Sequence, residues 1–379
     1  MRIILIGNYP PDKQESMERF AQMLAAGFSN EGYSAVIWRP VVFFGKRVRS
    51  TTMGRGKWMG YIDKWILFPF ILRWRLLFKN YRAKDIHFHI CDHSNSYYLR
   101  HLPAARTVIT CHDVLAIRGA LGYKDAYVGA SRTGKILQHW ILSNLTSAQK
   151  LAAVSSLTYQ QLSELDNKHP SGHSKNWKVI HNAFNADFRP MPAAEAAGLL
   201  RKAGVDPGVP FLLHVGSSLP RKNRKLVIEM LVVLGSRWDG NICFAGGALE
   251  EELVAYARTL GLKSRVISAV NPDHITLVAL YSACAAFVFP SLSEGFGWPV
   301  IEAQACGVPV IASSFNPLPE ISGGAALHAD PVKPADFANA FLSLQNKITR
   351  SELIRKGFEN SRRFDRSRMT LAYLDLHLS

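Results

Sequence analysis

What the 379-residue chain has little of narrows its chemistry first. Its five cysteines, Cys91, Cys111, Cys243, Cys284 and Cys306, are scattered, odd in number and never spaced C-x-x-C. Neither a disulfide framework nor a zinc site is therefore indicated, and a reducing, cytoplasmic setting is expected. Long apolar runs are also missing. In the most aromatic stretch, residues 46–84, the longest uncharged run is Trp65 to Leu72, eight residues, whereas a membrane-spanning helix needs about 20. The opening Met1 to Gly7 is too short for a signal peptide and reads as a buried strand. Tandem repeats and low-complexity tracts are absent. Acidic residues are scarce against basic ones, 29 against 45, and the deficit is uneven. Residues 1–190 hold 26 Lys and Arg against 12 Asp and Glu, a net +14, and residues 191–379 hold 19 against 17, a net +2. An anionic partner of the first half is implied: a membrane surface, a phosphorylated acceptor or a polyanion. No recognised nucleic-acid-binding module accompanies the charge, so nucleic acid is not the expected partner.

What is present suits two ordinary α/β cores, given 48% hydrophobic residues. Arg2 to Ile6, then Gly7, then a helical pattern from Ser16 to Phe28 with Ser16 as its N-cap, form a β-loop-α entry unit. Further strands are expected at Tyr33 to Trp38, Asp85 to Ile90, Thr107 to Thr110, Leu151 to Ser156 and Lys178 to Asn182. Polar clusters follow two of these, Asp92-His93-Ser94-Asn95 and His112-Asp113, and ligands of open α/β sheets bind beyond such strand ends. The break at Arg189-Pro190-Met191-Pro192 suggests a domain change. A second sheet then begins with Phe211 to Val215 and Gly216. Residues 46–84 combine eleven basic residues, including Arg49, Arg55, Lys79 and Arg82, with Trp58, Trp65, Phe68, Phe70, Trp74 and Phe78. Two readings stand there: a helix flanking the first sheet, packed on one face and solvated on the other and interrupted by Pro69, or a segment lying on a membrane surface. Gly129 to Ile136 nearly spells a phosphate-binding P-loop, but Ile136 replaces the required Ser or Thr, so Arg132 and Lys135 read as the start of a helix.

The most specific stretch is Ala285 to Ser313, AAFVFPSLSEGFGWPVIEAQACGVPVIAS. A short apolar strand opens into a glycine-containing loop, and a helix is expected from Pro299 to about Cys306. Backbone N–H groups converging at such a helix start, with the helix dipole behind them, favour an anion such as a diphosphate. Glu294 and Glu302 bracket that point, and carboxylates beside an anion site suit hydroxyl groups better than phosphate. Upstream, Pro220-Arg221-Lys222-Asn223 follows a strand and glycine and brings cations.

The Glu-x7-Glu string with Gly-Phe-Gly inside it, together with Pro-Arg-Lys-Asn, closely resembles the donor site of the family 4 retaining glycosyltransferases, group 1 of the glycosyl transferases. That resemblance implies an α/β GT-B fold, two Rossmann-like domains facing across a central cleft: residues 1–188 on the acceptor side, 189–360 binding the nucleotide sugar, and 361–379 as a helix returning to the first domain. It implies a retaining, metal-independent hexosyltransferase using a UDP- or GDP-linked sugar and no cofactor, in agreement with the absence of Asp-x-Asp. The acceptor is expected to be a saccharide or a lipid-linked one for a surface polysaccharide or glycolipid, and for the enzyme two expectations stand, a free cytoplasmic position or a peripheral one at the inner face of the cell membrane. Carried over residue by residue, Glu294 and His112 orient the sugar while Lys222 and Arg221 neutralise the leaving diphosphate. Gly216, Gly295, Phe296, Gly297, Trp298, Val300 and Glu302 form the donor site, with Glu302 on the ribose. Gln14, Glu15 and Asp113 lie on the acceptor side, and no metal site is expected. The chain departs from the family in three places: no glycine pair at Asp12 to Ser16, His181-Asn182-Ala183 for Pro-Asn-Gly, and Ser217 where an arginine is usual. The same fold also serves sugar-nucleotide epimerases, phosphorylases and non-catalytic scaffolds, which stand as the alternatives.

Overall fold

Strands that read as nearly unbroken apolar runs belong in parallel sheets covered on both faces; twelve strands are described, and most read so, the edge strand Asn176–Val179 (NWKV) being an exception. The computed structural model describes every residue except 49–50, 52–53, 55, 79–80, 82 and 168–173. Arg49, Arg55, Lys79 and Arg82 of the basic stretch lie outside the described residues. The chain divides into two units. One comprises Met1–Tyr123, Gly129–Asn185 and Arg366–Ser379, the other Lys124–Val128 and Ala186–Asp365.

In the first unit, β1 (Arg2–Ile6), β2 (Ser34–Trp38), β3 (Ile86–Ile90), β4 (Thr107–Cys111), β5 (Lys150–Ala153) and β6 (Asn176–Val179) pair in parallel in the order β2-β1-β3-β4-β5-β6. Alternation decides which side each residue covers: Ile4 and Ile6 join Phe88 of β3 and Ile109 on one face, Ile3 and Leu5 join Phe20 and Leu24 on the other. The strand order reverses between β1 and β3, so the crevice of this sheet opens past Ile6 and Ile90.

The second unit repeats the plan. Its strands are β7 (Phe211–Val215), β8 (Asn241–Gly246), β9 (Val266–Val270), β10 (Ala286–Phe289), β11 (Val310–Ser313) and β12 (Leu327–Ala329). They run parallel in the order β12-β11-β10-β7-β8-β9, reversing between β7 and β10. Its crevice therefore opens where Gly216 follows β7 and Pro290 follows β10. Both units are Rossmann-like α/β layers, as the sequence leads one to expect.

Several local expectations are corrected. The first helix is Glu15–Asn30, so Ser16 is not its N-cap; Gln14 holds that position without capping, because its side chain accepts a hydrogen bond from Asn8 instead. The last strand of the first sheet lies at Asn176–Val179 rather than 178–182. Trp177 fixes its start by donating its indole N–H to the Ala148 carbonyl at 2.8 Å. Pro69 does not interrupt its helix: Gly56–Ile62 passes through a π-helical turn, Asp63–Leu67, into Phe68–Leu77. A π turn relocates the backbone hydrogen bonds, so the missing proline N–H falls where the next helical segment begins.

The last helix, Arg366–Leu378, belongs to the first unit and buries Met369, Tyr373 and Leu376 against its sheet. Gly27 meets it so closely that a Cβ there would sit 2.2 Å from the Thr370 hydroxyl. Beneath it His89 contacts His377 at 3.2 Å and Thr110 at 2.9 Å, and Thr110 meets the Tyr373 hydroxyl at 3.0 Å. Burial pushes the His89 imidazole down to about 3, does the same to His214 of the second unit, and holds His377 well below the ordinary histidine range. These groups stay neutral in the folded chain while the unfolded chain takes up protons below about pH 6.5. Their contribution is complete above that pH and is lost as pH falls toward 3, at up to about 1.4 kcal/mol per pH unit for each independent site. The urea midpoint should accordingly drop steadily between pH 6.5 and pH 4.5 and stay nearly level from pH 7 to 8.

Candidate functional site

At the crevice of the second unit, two loops are stitched to each other. A 3₁₀ turn, Pro220–Lys222, ends at Asn223, whose backbone is left-handed at φ 54°. Asparagine tolerates that conformation better than most residues. Its side-chain amide donates to the carbonyls of Pro290, at 3.2 Å, and Pro331, at 2.7 Å, tying the turn to the end of β10. The Leu292 amide donates back to the Arg221 carbonyl at 2.8 Å. Arg224, buried, braces the same region by donating to the Gly216 carbonyl at 2.6 Å and pairing with Glu250 at 3.2 Å.

This stitching delivers three charges to one point. Lys222 Nζ lies 2.6 Å from Glu294 Oε1, and Arg221 Nη1 lies 2.9 Å from Glu294 Oε2 while also donating to the Ser293 carbonyl at 2.9 Å. Glu294 is only 8% exposed and Lys222 9%, and the Lys222 ammonium sits 4.9 Å from the centre of the Phe289 ring. Burial pushes the Glu294 carboxyl up, but the two cations outweigh it and hold the group below the usual carboxylate range.

Gly295, Phe296 and Gly297 carry the chain from Glu294 to the helix Trp298–Ala305, which starts one residue before the expected Pro299 and stops at Ala305 rather than Cys306. Gly297 is at φ 105°, and a Cβ there would also come within 2.6 Å of Leu318 Cδ2, so both backbone and space demand glycine. The Val300 amide donates to the Gly297 carbonyl at 3.0 Å, which means this turn already uses one of the N–H groups expected to face a donor. Further along the helix, buried Glu302 accepts a hydrogen bond from Tyr281 at 2.8 Å. Burial, then the Glu302 charge, keeps the Tyr281 phenol protonated and hence a donor.

The remaining expected residues stand in the first unit. His112, beyond β4, is 7% exposed, sits edge-on to Phe20 at 4.7 Å, and reaches the Cys91 carbonyl with Nε2 at 2.9 Å. A carbonyl only accepts, so Nε2 carries the proton and Nδ1 the lone pair. Burial holds this imidazole below its ordinary range despite the opposing charge of Asp92. Asp113 turns the other way: its Oδ1 accepts from the Leu115 amide at 3.0 Å and starts the helix Leu115–Ala120. At the β1/β3 crevice, Asn8 donates to Asp92 at 2.6 Å and to Gln14, and accepts from Asn95 at 2.9 Å. Gln14 and Glu15 line a cleft of about 580 Å³ there with Asn8, Tyr9, Glu18 and Arg39. Glu15 is exposed beside Arg19. Among the described residues no group of three or more His, Cys, Asp or Glu is placed to hold a metal ion.

With this geometry in hand, residues 199–360 match the model of the glycosyl transferases group 1. That segment belongs to the family, and the chain is a glycosyltransferase. The glycosyltransferase is 28% identical over 278 residues to the O-antigen chain mannosyltransferase B of Escherichia coli, a match spanning 72% of this chain and 70% of that protein. It is 33% identical over 179 residues to a D-inositol 3-phosphate glycosyltransferase of Mycobacterium sp. strain KMS, where the match spans 45% of this chain and only 38% of the relative. The sucrose-phosphate synthase structure from Thermosynechococcus elongatus superposes with a TM-score of 0.74 at 18% identity, covering 100% of this chain and 98% of that one. The fold is therefore GT-B.

Sequence reasoning named Glu294, Lys222 and Arg221 but not that they form one ion cluster. It missed Arg224, Asn8 and Tyr281. Asn223 closes the basic motif and Arg224 directly follows it, so both stood beside a recognised signal, whereas Tyr281, on a separate helix, leaves no spacing signal. Removing the central anion should expose how tightly the cluster is bound. Glu294→Gln leaves two enclosed cations without a counter-charge and should lower stability by about 3 kcal/mol in urea unfolding. Glu15→Gln, at a solvated pair, should leave the midpoint unchanged.

Proposed function

We propose that the enzyme transfers a hexosyl group from a nucleotide-diphosphate sugar to a saccharide or lipid-linked acceptor, with retention of configuration and without a metal, as a family 4 glycosyltransferase in surface polysaccharide or glycolipid synthesis. The observation carrying this reading is the Lys222–Glu294–Arg221 cluster at the crevice of the second sheet. Cleaving a sugar–phosphate bond builds negative charge on the leaving diphosphate, and cations already fixed in a poorly solvated site stabilise that change more than they stabilise the bound donor. Lys222 and Arg221 take this part, so that no divalent ion is required.

In the donor complex the diphosphate draws the two cations partly away from Glu294, whose oxygens then accept hydrogen bonds from sugar hydroxyls. Gly216, Gly295, Phe296, Gly297 and Trp298 form the walls and floor of the donor site, while Val300, fully buried with its amide bonded to the Gly297 carbonyl, supports them from behind. Glu302, aligned by Tyr281, accepts from the ribose. His112 joins in orienting the sugar; in the tautomer fixed by Cys91 its Nδ1 is an acceptor, the polarity a hydroxyl needs. Gln14, Glu15 and Asp113 belong to the acceptor side, the first two through their cleft. For the retaining route we favour attack on the face the diphosphate leaves, its phosphate oxygen taking the acceptor proton. A double displacement would need Glu294 as nucleophile, whereas in this arrangement its oxygens are taken up by the sugar hydroxyls. The mannosyltransferase relative supports a hexose such as mannose, and the +14 first half supports an acceptor at the inner face of the cell membrane.

Lys222→Ala and Glu294→Ala should each lower sugar transfer by roughly 100-fold or more, in an assay supplying a panel of nucleotide sugars. EDTA should leave the wild-type rate unchanged, and the product should keep the donor's anomeric configuration. Wild-type transfer by both variants would end the assignment.

A further inference from the structure

The helix Gly56–Leu77 packs one face on its own unit and turns the other outward, and that outward face is not polar. Its inner side is committed. Phe68 and Leu72 are fully buried in the first unit's core. Asp63, also fully buried, accepts from the amides of Phe43, Phe44 and Gly45 at 2.9–3.0 Å and from the Tyr9 hydroxyl at 2.6 Å. Lys64 pairs with Asp12 at 2.7 Å. Thus anchored, the helix turns Ile66, Phe70, Trp74 and Leu77 outward, with exposures of 57%, 72%, 61% and 63%. Steps of four, four and three place them on one side. Trp58, 63% exposed, extends the apolar surface. It leads into a groove of about 560 Å³ walled by Tyr61, Trp65 and Trp140, in which the Tyr61 and Trp65 rings stack at 3.9 Å. Isolated exposed apolar residues are ordinary, but a continuous stripe of large ones marks an interaction surface.

Charge selects the occupant. Lys57, Arg73, Arg132 and Lys135 are exposed around this surface, and Asp63 is the only acid between Gly56 and Leu77. The neighbouring helix Arg132–Leu145 has none. Pairing with a second copy would bring two like-charged rims together. Tryptophan, phenylalanine and leucine beside lysine and arginine, on a helix lying flat against its own domain, match an anionic lipid surface. We infer that the Gly56–Leu77 helix docks the enzyme on an anionic membrane leaflet, Ile66, Phe70, Trp74 and Leu77 entering the acyl boundary while Lys57, Arg73, Arg132 and Lys135 meet lipid phosphates. This deepens the reading of an acceptor at the membrane, yet its test does not depend on sugar transfer.

The full chain is sedimented with vesicles of phosphatidylcholine containing about 30% phosphatidylglycerol, and with phosphatidylcholine alone. Wild type should partition onto the anionic vesicles, with tryptophan emission shifted to the blue. F70D/W74D, altered only at exposed positions, should bind at least tenfold more weakly with an unchanged urea midpoint. E294A should bind like wild type while losing transfer, which separates this surface from the chemistry. Wild type remaining in the supernatant, or F70D/W74D binding as well as wild type, would overturn the proposal. So would a concentration-dependent dimer that F70D/W74D abolishes, since the stripe would then serve a second copy.

Discussion

Glu294 holds two cations in a place with almost no water, and much of the second unit is arranged to make that tolerable. An enclosed carboxylate is costly unless it is paired and hydrogen-bonded. Here both oxygens have a partner, and each partner reaches it only because its loop is pinned. Asn223 fastens the cationic turn to β10, Arg224 fixes the carbonyl of Gly216, and Gly297 lets the chain turn sharply into the next helix. Those pins depend in turn on β7 and β10 being neighbours in the sheet. The strand-order reversal places the ends of two strands distant in sequence side by side, and the loops leaving them can then share charges.

The first unit has the same reversal between β1 and β3 and puts a different chemistry in it. Asn8 links Asp92, Gln14 and Asn95 there, a network of amides with one carboxylate, of the polarity that alternating donors and acceptors such as hydroxyls match. The cluster at the other sheet is built around full charges. One topology thus yields two sites of distinct polarity, because strand order determines where a site forms and the loop residues determine what it can bind.

The strands were the most legible part of the sequence. β1 and β7 are found where their apolar runs stand, since a parallel strand covered on both faces is written as a continuous run. Edges were less certain wherever a side chain committed elsewhere, as with Gln14, turned to Asn8, and Trp177, bonded to Ala148. The parts of the ion cluster were legible because Glu294 with its glycines and the Arg221–Lys222 pair each form a short local string, although the two strings are far apart in sequence. Tyr281 could not be read in the same way, for its role arises only when its helix meets the one that carries Glu302. In 46–84 periodicity was obscured by a π turn, which shifts the register of outward positions partway along, and by Pro69, which the same turn accommodates. Ile66, Phe70, Trp74 and Leu77 keep helical spacing, but only the burial of Phe68 and Leu72 shows which face is outward.

On the proposed reading, the uneven charge of the two halves of the chain answers to what each has to hold. A nucleotide diphosphate is small and concentrates its charge, so two well-placed cations with a balancing carboxylate answer it, and the second half remains near neutrality at +2. A lipid surface spreads its charge over a wide area, and exposed pairs are weakened by salt over about 8–10 Å. Attraction to such a surface therefore takes many cations acting together with apolar insertion, neither being sufficient alone. The +14 half carries both, with its positive charge in the same stretch as its outward aromatic side chains. On the proposed reading, buried ion pairing and surface charge act at separate places in this enzyme, one on the departing nucleotide and the other on the lipid surface where it docks.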